Sequence, residues 1–128
     1  MRNRPPSQGL ILLVEDDDAL ASAVAFALTA EGFEVESFRS GEELLEVARD
    51  RDACYLILDQ RLGAGLTGLV ALETLRHEGI RWPAIIMTTA PAAWLVGRAK
   101  AASANVIEKP ILGDQLLRLI RRSASGRE

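Results

Sequence analysis

Short apolar runs alternate along this chain with stretches whose apolar residues recur at helical spacing. Unbroken apolar runs are typical of strands buried on both faces, whereas apolar residues at every third or fourth position predict amphipathic helices. Phe33 to Phe38 alternates apolar and polar residues, which places that strand nearer a sheet edge. The predicted strands are Gly9 to Val14, Phe33 to Phe38, Ala53 to Leu58, Ala84 to Met87 and Ala104 to Ile107.

A helical pattern follows each predicted strand. The first helix is expected to stop near Gly32, the second to open at Ser40 and the third to close near Gly79. The fourth is expected to hold Pro91 in its first turn and to run to about Ser103. The fifth carries its apolar face on Leu112, Leu116, Leu119 and Ile120. Each connection can form a right-handed crossover, so we predict a doubly wound α/β fold with a five-stranded parallel sheet.

The length of 128 residues is that of one domain. We assign residues 1–8 to a flexible lead, 9–122 to the domain and 123–128 to a frayed tail. A single cysteine, Cys54, cannot form an internal disulfide, and its apolar surroundings predict a buried thiol.

Composition also limits the possible partners. No apolar stretch reaches the roughly 20 residues that cross a bilayer, and Arg2 and Arg4 are not followed by a secretory core. The net charge of -3 disfavours a dedicated nucleic-acid-binding domain, which usually has a basic face. We therefore expect a cytoplasmic protein without direct membrane or nucleic-acid binding.

Acidic residues stand where two of the predicted strands end. Glu15 and Asp16 follow the first strand and Asp59 follows the third. Carboxyl ends of parallel strands share one edge of a sheet, so these groups should converge there. Three carboxylates within about 5 Å repel by several kcal/mol per pair, and Mg2+ would remove that repulsion. The alternative is that residues 15–18 only cap the first helix, an interpretation we prefer for Asp17 and Asp18.

Asp59 could be a third metal ligand, a nucleophile, or both. A carboxylate beside Mg2+ can attack a phosphoryl group, and a nearby ammonium and hydroxyl can hold the phosphoryl oxygens. Lys109 and Thr88, at the ends of the fifth and fourth strands, are candidates for those two groups. Taken singly, Lys109 could be a surface lysine and Thr88 an ordinary strand threonine.

Five segments stand out along the chain: Leu12 to Asp17, Leu56 to Leu62, Gly68-Leu69, Pro83 to Thr88 and Glu108-Lys109-Pro110. Together they resemble the receiver domains of two-component response regulators. The resemblance extends from about Gly9 to Arg122 and implies a flavodoxin-like sheet with strand order 2-1-3-4-5.

The resemblance also implies roles for individual residues. Asp59 matches the phosphoacceptor, Thr88 the switch hydroxyl and Lys109 the lysine that contacts the phosphoryl group, with a cis bond before Pro110. Mg2+ would be bound by Asp16, Asp59 and the backbone carbonyl of Arg61, and by Glu15 through water.

The chain departs from the family pattern at three places. Gly63 replaces a usual proline in a loop that is one residue longer than the common pattern, so we expect that loop to be mobile. The stretch from Thr88 to Lys109 is one residue shorter. Val106 stands where the family usually has an aromatic switch residue, which predicts a different readout of phosphorylation.

The predicted function is a phosphorylation-controlled signalling switch. Its expected partners are a sensor histidine kinase or histidine phosphotransfer protein and an unknown protein target, and we expect a monomer or weak homodimer. The chain could stand alone or be a fragment of a longer regulator or hybrid kinase. One alternative is a receiver-like interaction module that works without phosphorylation. A phosphatase of the haloacid dehalogenase type is disfavoured, because Arg61 occupies the place of its second aspartate.

Overall fold

Five parallel strands form a single sheet in this computed structural model, which describes residues 7–111 and 113–125. The sheet order is β2-β1-β3-β4-β5, so the predicted fold and strand order are confirmed. β2 lies at an edge of the sheet, as its alternating pattern predicted. The strands are β1 (Leu10–Val14), β2 (Glu34–Phe38), β3 (Tyr55–Asp59), β4 (Ala84–Thr88) and β5 (Ala104–Glu108).

Helices follow the strands in the predicted alternation. They are α1 (Asp18–Ala30), α2 (Gly41–Val47), α3 (Gly68–His77), α4 (Ala93–Ala101) and α5 (Gly113–Ser125), and a short 3-10 turn, Ala48–Asp50, extends α2. Among the described residues, no helix is long and apolar enough to cross a membrane.

Side chains of each central strand point alternately into two apolar cores. Ile11 and Leu13 of β1 pack with residues of α1 and α5, whereas Leu12 and Val14 pack with residues of α2, α3 and α4. All four side chains are completely buried. Burial of such a side chain stabilises a fold by roughly 1.5–3 kcal/mol, which explains why the central strands are unbroken apolar runs.

Polar side chains cap the starts of three helices, including Asp17 and Ser40, which were predicted at such positions. Asp17, Ser40 and Thr67 accept backbone N–H bonds at the starts of α1, α2 and α3. The Asp17 bond, from Leu20, is 3.1 Å long and supports the capping role preferred for this residue. After α1 the backbone turns at Gly32, whose φ of 101° is in the region that favours glycine.

The start of α4 differs from the prediction. Pro91 precedes the helix, because Ala92 is extended with ψ of 150° and serves as the N-cap. The N–H of Ala92 donates to the carbonyl of Ala90 instead of entering a helical pattern. The helix also stops before Ser103, which takes a left-handed φ of 60°. The predicted helix was therefore about two residues too long at each end.

Arg76 joins α3 to the end of α4. Its guanidinium donates to the carbonyls of Ala102 at 2.7 Å, Ile80 at 3.0 Å and Ser103 at 3.3 Å. Arg98 of α4 also forms a two-bond ion pair with Glu73 of α3. These contacts fix α4 against its neighbour.

The chain ends are described only in part. Residues 1–6 of the predicted lead lie outside the described residues, whereas the backbone N–H of Gln8 donates to Gly32 at 3.0 Å. Residues 123–125 of the predicted tail belong to α5, and residues 126–128 lie outside the description. Leu112 also lies outside it, while Leu116 and Ile120 form the buried part of the predicted α5 face.

Candidate functional site

A crevice of about 450 Å³ opens at the carboxyl edge of the sheet. Asp59 is the last residue of β3 and Thr88 the last of β4, whereas Glu15 and Lys109 directly follow β1 and β5. The topology therefore brings together residues that are far apart in sequence. The crevice is lined by Glu15, Asp16, Asp17, Leu20, Asp59, Arg61, Gly63, Thr88, Thr89 and Lys109, which include every site residue predicted from the sequence.

Lys109 connects the two most deeply placed carboxylates. Its Nζ donates to Asp59 Oδ2 at 2.8 Å and to Glu15 Oε1 at 3.3 Å. Glu15 is only 2% exposed and Asp59 only 5%. Buried carboxylates are stable only when they are paired and hydrogen-bonded. The Lys109 ammonium is therefore needed to stabilise the folded site, in addition to any role in its chemistry.

Backbone donors hold the remaining oxygens of these two carboxylates. The N–H of Asp17 donates to Glu15 Oε2 at 3.1 Å, and the N–H of Arg61 donates to Asp59 Oδ1 at 3.2 Å. Each donor lies two residues after its acceptor, in the turn that follows the strand. Both side chains are thus oriented by local backbone as well as by Lys109.

The electrostatics of the crevice shift two pKa values. Burial raises the pKa of Glu15 to about 7; the Asp17 amide opposes this change and the charge of Asp59 reinforces it. Burial also disfavours the Lys109 ammonium, but its bond to Asp59 and the two negative charges outweigh burial and raise the pKa of Lys109. The crevice therefore favours positive charge and resists a full set of ionised carboxylates.

The acidic residues have the chemistry of a divalent-metal site. Glu15, Asp16 and Asp59 each offer one carboxylate oxygen, and these oxygens lie within 4.8 Å of one another. If all three were ionised, one ammonium would leave two negative charges uncompensated. Asp16 is half-buried and therefore reachable from solvent. Hard cations such as Mg2+ prefer oxygen ligands, so this donor set fits such an ion.

Thr88 lies on the other side of Asp59 from β1. Its Oγ1 accepts the N–H of Ala90 at 3.2 Å, and its carbonyl accepts the N–H of Lys109 at 2.8 Å. The peptide bond between Lys109 and Pro110 is cis, as the resemblance implied. These contacts place the hydroxyl and the ammonium along the same rim.

Two residues that position Asp59 were missed as site residues by sequence reasoning. Gln60 donates its N–H to Met87 at 2.9 Å, and its side-chain oxygen accepts the N–H of Leu69 at 2.8 Å. A Cβ on Gly68 would lie 2.5 Å from the carbonyl oxygen of Asp59, so no other residue fits there without a backbone shift. The signal available in the sequence was a glycine at the start of a helix, which does not reveal what that glycine approaches.

The family model described as the response regulator receiver domain matches residues 11–121. The chain belongs to this family. Receiver domains are signalling modules that interact with histidine kinases or phosphotransfer proteins and bind Mg2+ at an acidic pocket. In this receiver domain the crevice contains an acidic cluster, Glu15, Asp16 and Asp59, that could hold a metal ion.

Curated relatives are longer than this receiver domain. The transcriptional regulatory protein FixJ of Rhizobium meliloti is 30% identical over 115 residues, which are 88% of this chain and 55% of the relative. The cell cycle transcriptional regulator CtrA of Caulobacter vibrioides is 35% identical over 78 residues, which are 61% of this chain and 33% of the relative. The chain thus spans about half the length, or less, of the curated relatives it matches.

A solved structure supports the fold independently. The CheY-like response regulator receiver domain protein from Methanospirillum hungatei has a TM-score of 0.85 at 24% identity. The match covers 95% of this chain and 96% of that chain. The architecture is therefore that of a receiver domain even where the sequences have diverged.

The raised pKa of Glu15 predicts how stability changes with pH in a metal-chelating buffer. Between pH 4.5 and about 7, folded Glu15 keeps a proton that the unfolded chain has lost. The folded state then binds more protons, so the free energy of unfolding should fall as pH rises through this window. Urea denaturation across the window measures the slope, and Glu15→Gln should flatten it. An equal slope in both proteins would contradict the assignment.

Proposed function

We propose that Asp59 accepts a phosphoryl group from a phosphohistidine of a sensor kinase or phosphotransfer protein. The observation that carries the proposal is the buried Asp59 carboxylate, bonded to Lys109 at 2.8 Å at the floor of an open acidic crevice. A carboxylate held in this way is oriented for attack on a group that enters from solvent.

The transfer needs only groups that this crevice supplies. A carboxylate oxygen of Asp59 forms a bond to phosphorus while the bond from phosphorus to the histidine nitrogen breaks, and the imidazole leaves with that electron pair. The Lys109 ammonium, which bonds to Asp59 before the transfer, is placed to bond to a phosphoryl oxygen after it. Thr88, only 7% exposed, has a hydroxyl that can donate to a second phosphoryl oxygen.

A Mg2+ ion is the proposed cofactor. Asp16, Asp59 and the backbone carbonyl of Arg61 would bind it, with Glu15 acting through water. The mutual distances of the carboxylate oxygens and the excess negative charge support this assignment. When bound, the ion would neutralise charge on the carboxylates and on the transferred group. Its charge would also favour the ionised form of Glu15.

The phosphodonor is proposed to dock on α1. This helix contains a single charged residue, Asp18, and exposes Phe26 at 78% of its surface. Beside it, a mostly apolar groove of about 430 Å³ lies between α1 and α5 and shares Leu20, Thr89 and Lys109 with the crevice. An apolar helix face that carries the phosphohistidine could cover this groove and deliver its phosphoryl group to Asp59.

The named relatives are transcriptional regulators. We propose that this chain supplies a receiver function and that its direct partners are proteins. The prediction that residues 1–128 alone do not bind duplex DNA rests on the net charge of -3 and stays a prediction.

The readout is proposed to differ from an aromatic switch. Val106 is half-buried and packs against the core beneath α2, α3 and α4. It has no ring to exchange between exposed and buried positions. Meanwhile α4 is held to α3 by Arg76 and Arg98. Movement of Thr88 should therefore cause little rearrangement of α4 and β5.

Acetyl phosphate with Mg2+ should add one phosphoryl mass to the protein, and Asp59→Asn should abolish that gain because the amide is not a nucleophile. Asp17→Asn is the matched control, since an asparagine N-cap preserves α1. Both variants are assayed by intact-mass spectrometry and by binding of beryllofluoride with Mg2+. Undiminished modification of Asp59→Asn would refute the assignment of Asp59 as the phosphoacceptor. If the parent protein is not modified but still binds a partner, the phosphorylation-independent interaction module would be favoured.

The test uses a purified histidine kinase that phosphorylates the parent protein. Phe26→Ala should slow phosphotransfer from this kinase by about tenfold, because an exposed aromatic anchor is lost. Its reaction with acetyl phosphate should be unchanged, because Phe26 does not line the crevice. Val70→Ala, which removes an exposed apolar residue from α3, is the control. Equal kinase rates for all three proteins would rule out docking on α1.

Beryllofluoride should shift amide NMR signals strongly at Asp59, Thr88 and Lys109 and weakly across 99–106. Val106→Tyr should enlarge the weak group if an aromatic relay is what this chain lacks. Large shifts across 99–106 in the unmodified protein would show that another residue carries the switch.

A further inference from the structure

The loop of residues 61–67, between β3 and α3, is closed at its base. The N–H of Gly68 donates to the carbonyl of Gln60 at 3.2 Å, and the N–H of Leu69 donates to the Gln60 side chain. Within the loop, Leu62 is buried in the core at 4% exposure. In the outer part of the loop, after Leu62, only Leu66 is half-buried, and the other residues are exposed.

Glu42, in the first turn of α2, holds that outer part. Its Oε2 accepts the N–H of Leu66 at 3.1 Å. Gly65 leaves the space that the carboxylate occupies, since a Cβ there would lie 2.7 Å from Oε1 and 2.8 Å from Oε2. Leu66 also packs against Gly41, where a Cβ would lie 3.3 Å from the Leu66 Cβ. The loop is thus fitted to the start of α2.

The same loop borders the crevice at its other end. Arg61 and Gly63 line the crevice, and a Cβ on Gly63 would lie 3.6 Å from Asp16 Oδ2. Asp16 and the Arg61 carbonyl are both proposed metal ligands. A contact that fixes the loop at Leu66 therefore fixes the backbone beside these ligands.

We propose that Glu42 is a positioning residue for the metal site, which holds loop 61–67 in the conformation that binds Mg2+. This inference rests on the proposed function. A loop already ordered before binding loses less conformational entropy when the ion arrives, so the bond from Leu66 to Glu42 raises affinity without touching the ion.

Four variants separate the bond from its charge. Glu42→Ala removes the acceptor and the charge, whereas Glu42→Gln keeps an acceptor oxygen and removes only the charge. Gly65→Ala keeps the charge but places a methyl group where the carboxylate lies, at a position whose φ is not in the left-handed region. Glu46→Ala removes an exposed charge from the same helix and is the control.

The measurement is a titration of chelator-treated protein with MgCl2, followed by amide NMR shifts at Asp17 and Gly63. Hydrogen exchange at the Leu66 amide, without metal, reports the bond independently. Glu42→Ala and Gly65→Ala should raise the Mg2+ dissociation constant by about three- to tenfold and speed Leu66 exchange. Glu42→Gln and Glu46→Ala should stay within about twofold of the parent.

Each other outcome overturns the proposal. Unchanged affinity in Glu42→Ala would show that the loop position does not matter, and equal weakening in Glu42→Ala and Glu42→Gln would assign the effect to charge. Faster Leu66 exchange in Gly65→Ala with unchanged affinity would also reject it. If the parent protein binds no Mg2+, both the proposed cofactor and this inference are wrong. If the parent binds Mg2+ and the variants do not behave as expected, only this inference is wrong.

Discussion

Lys109 lies between Asp59 and Glu15 and makes the acidic edge of the sheet possible. Its ammonium extends from the end of β5 past β4 to the ends of β3 and β1, so one side chain connects the ends of three strands of the sheet. Two almost fully buried carboxylates would otherwise be neither paired nor neutralised. Even with Lys109 present, burial raises the pKa of Glu15 to about 7. A further cation in the crevice would favour the ionised form of Glu15.

The sequence carried most of the fold because a parallel sheet with helices on both faces leaves little freedom to its strands. The central strands are buried on both sides and therefore had to be apolar runs, and the polar residues that end them had to meet at one edge. Prediction was weaker at α4. A proline can occupy either the first turn of a helix or the position before the N-cap. Because Ala92 is extended and serves as the N-cap, Pro91 takes the second position.

Contacts that position the site were harder to predict, since they join residues that no local pattern links. Glu42 and Leu66 are 24 residues apart, and Arg76 meets Ala102 after 26. Gly68 is required by the approach of the Asp59 carbonyl, which only the folded backbone reveals. Sequence patterns indicate which residues of a helix or strand face the core. They do not indicate which distant segment of backbone contacts a given residue.

The closed base of loop 61–67 has a consequence for how such a domain tolerates change in length. Gln60 and Gly68 are bonded to each other, so residues between them begin and end at nearly the same point in space. The entropic cost of closing a loop grows only slowly with its length. One more residue than the usual pattern can therefore be absorbed as a wider excursion at the surface, while the aspartate and the helix behind it keep their places. Insertions here change the rim of the crevice and leave its floor unaltered.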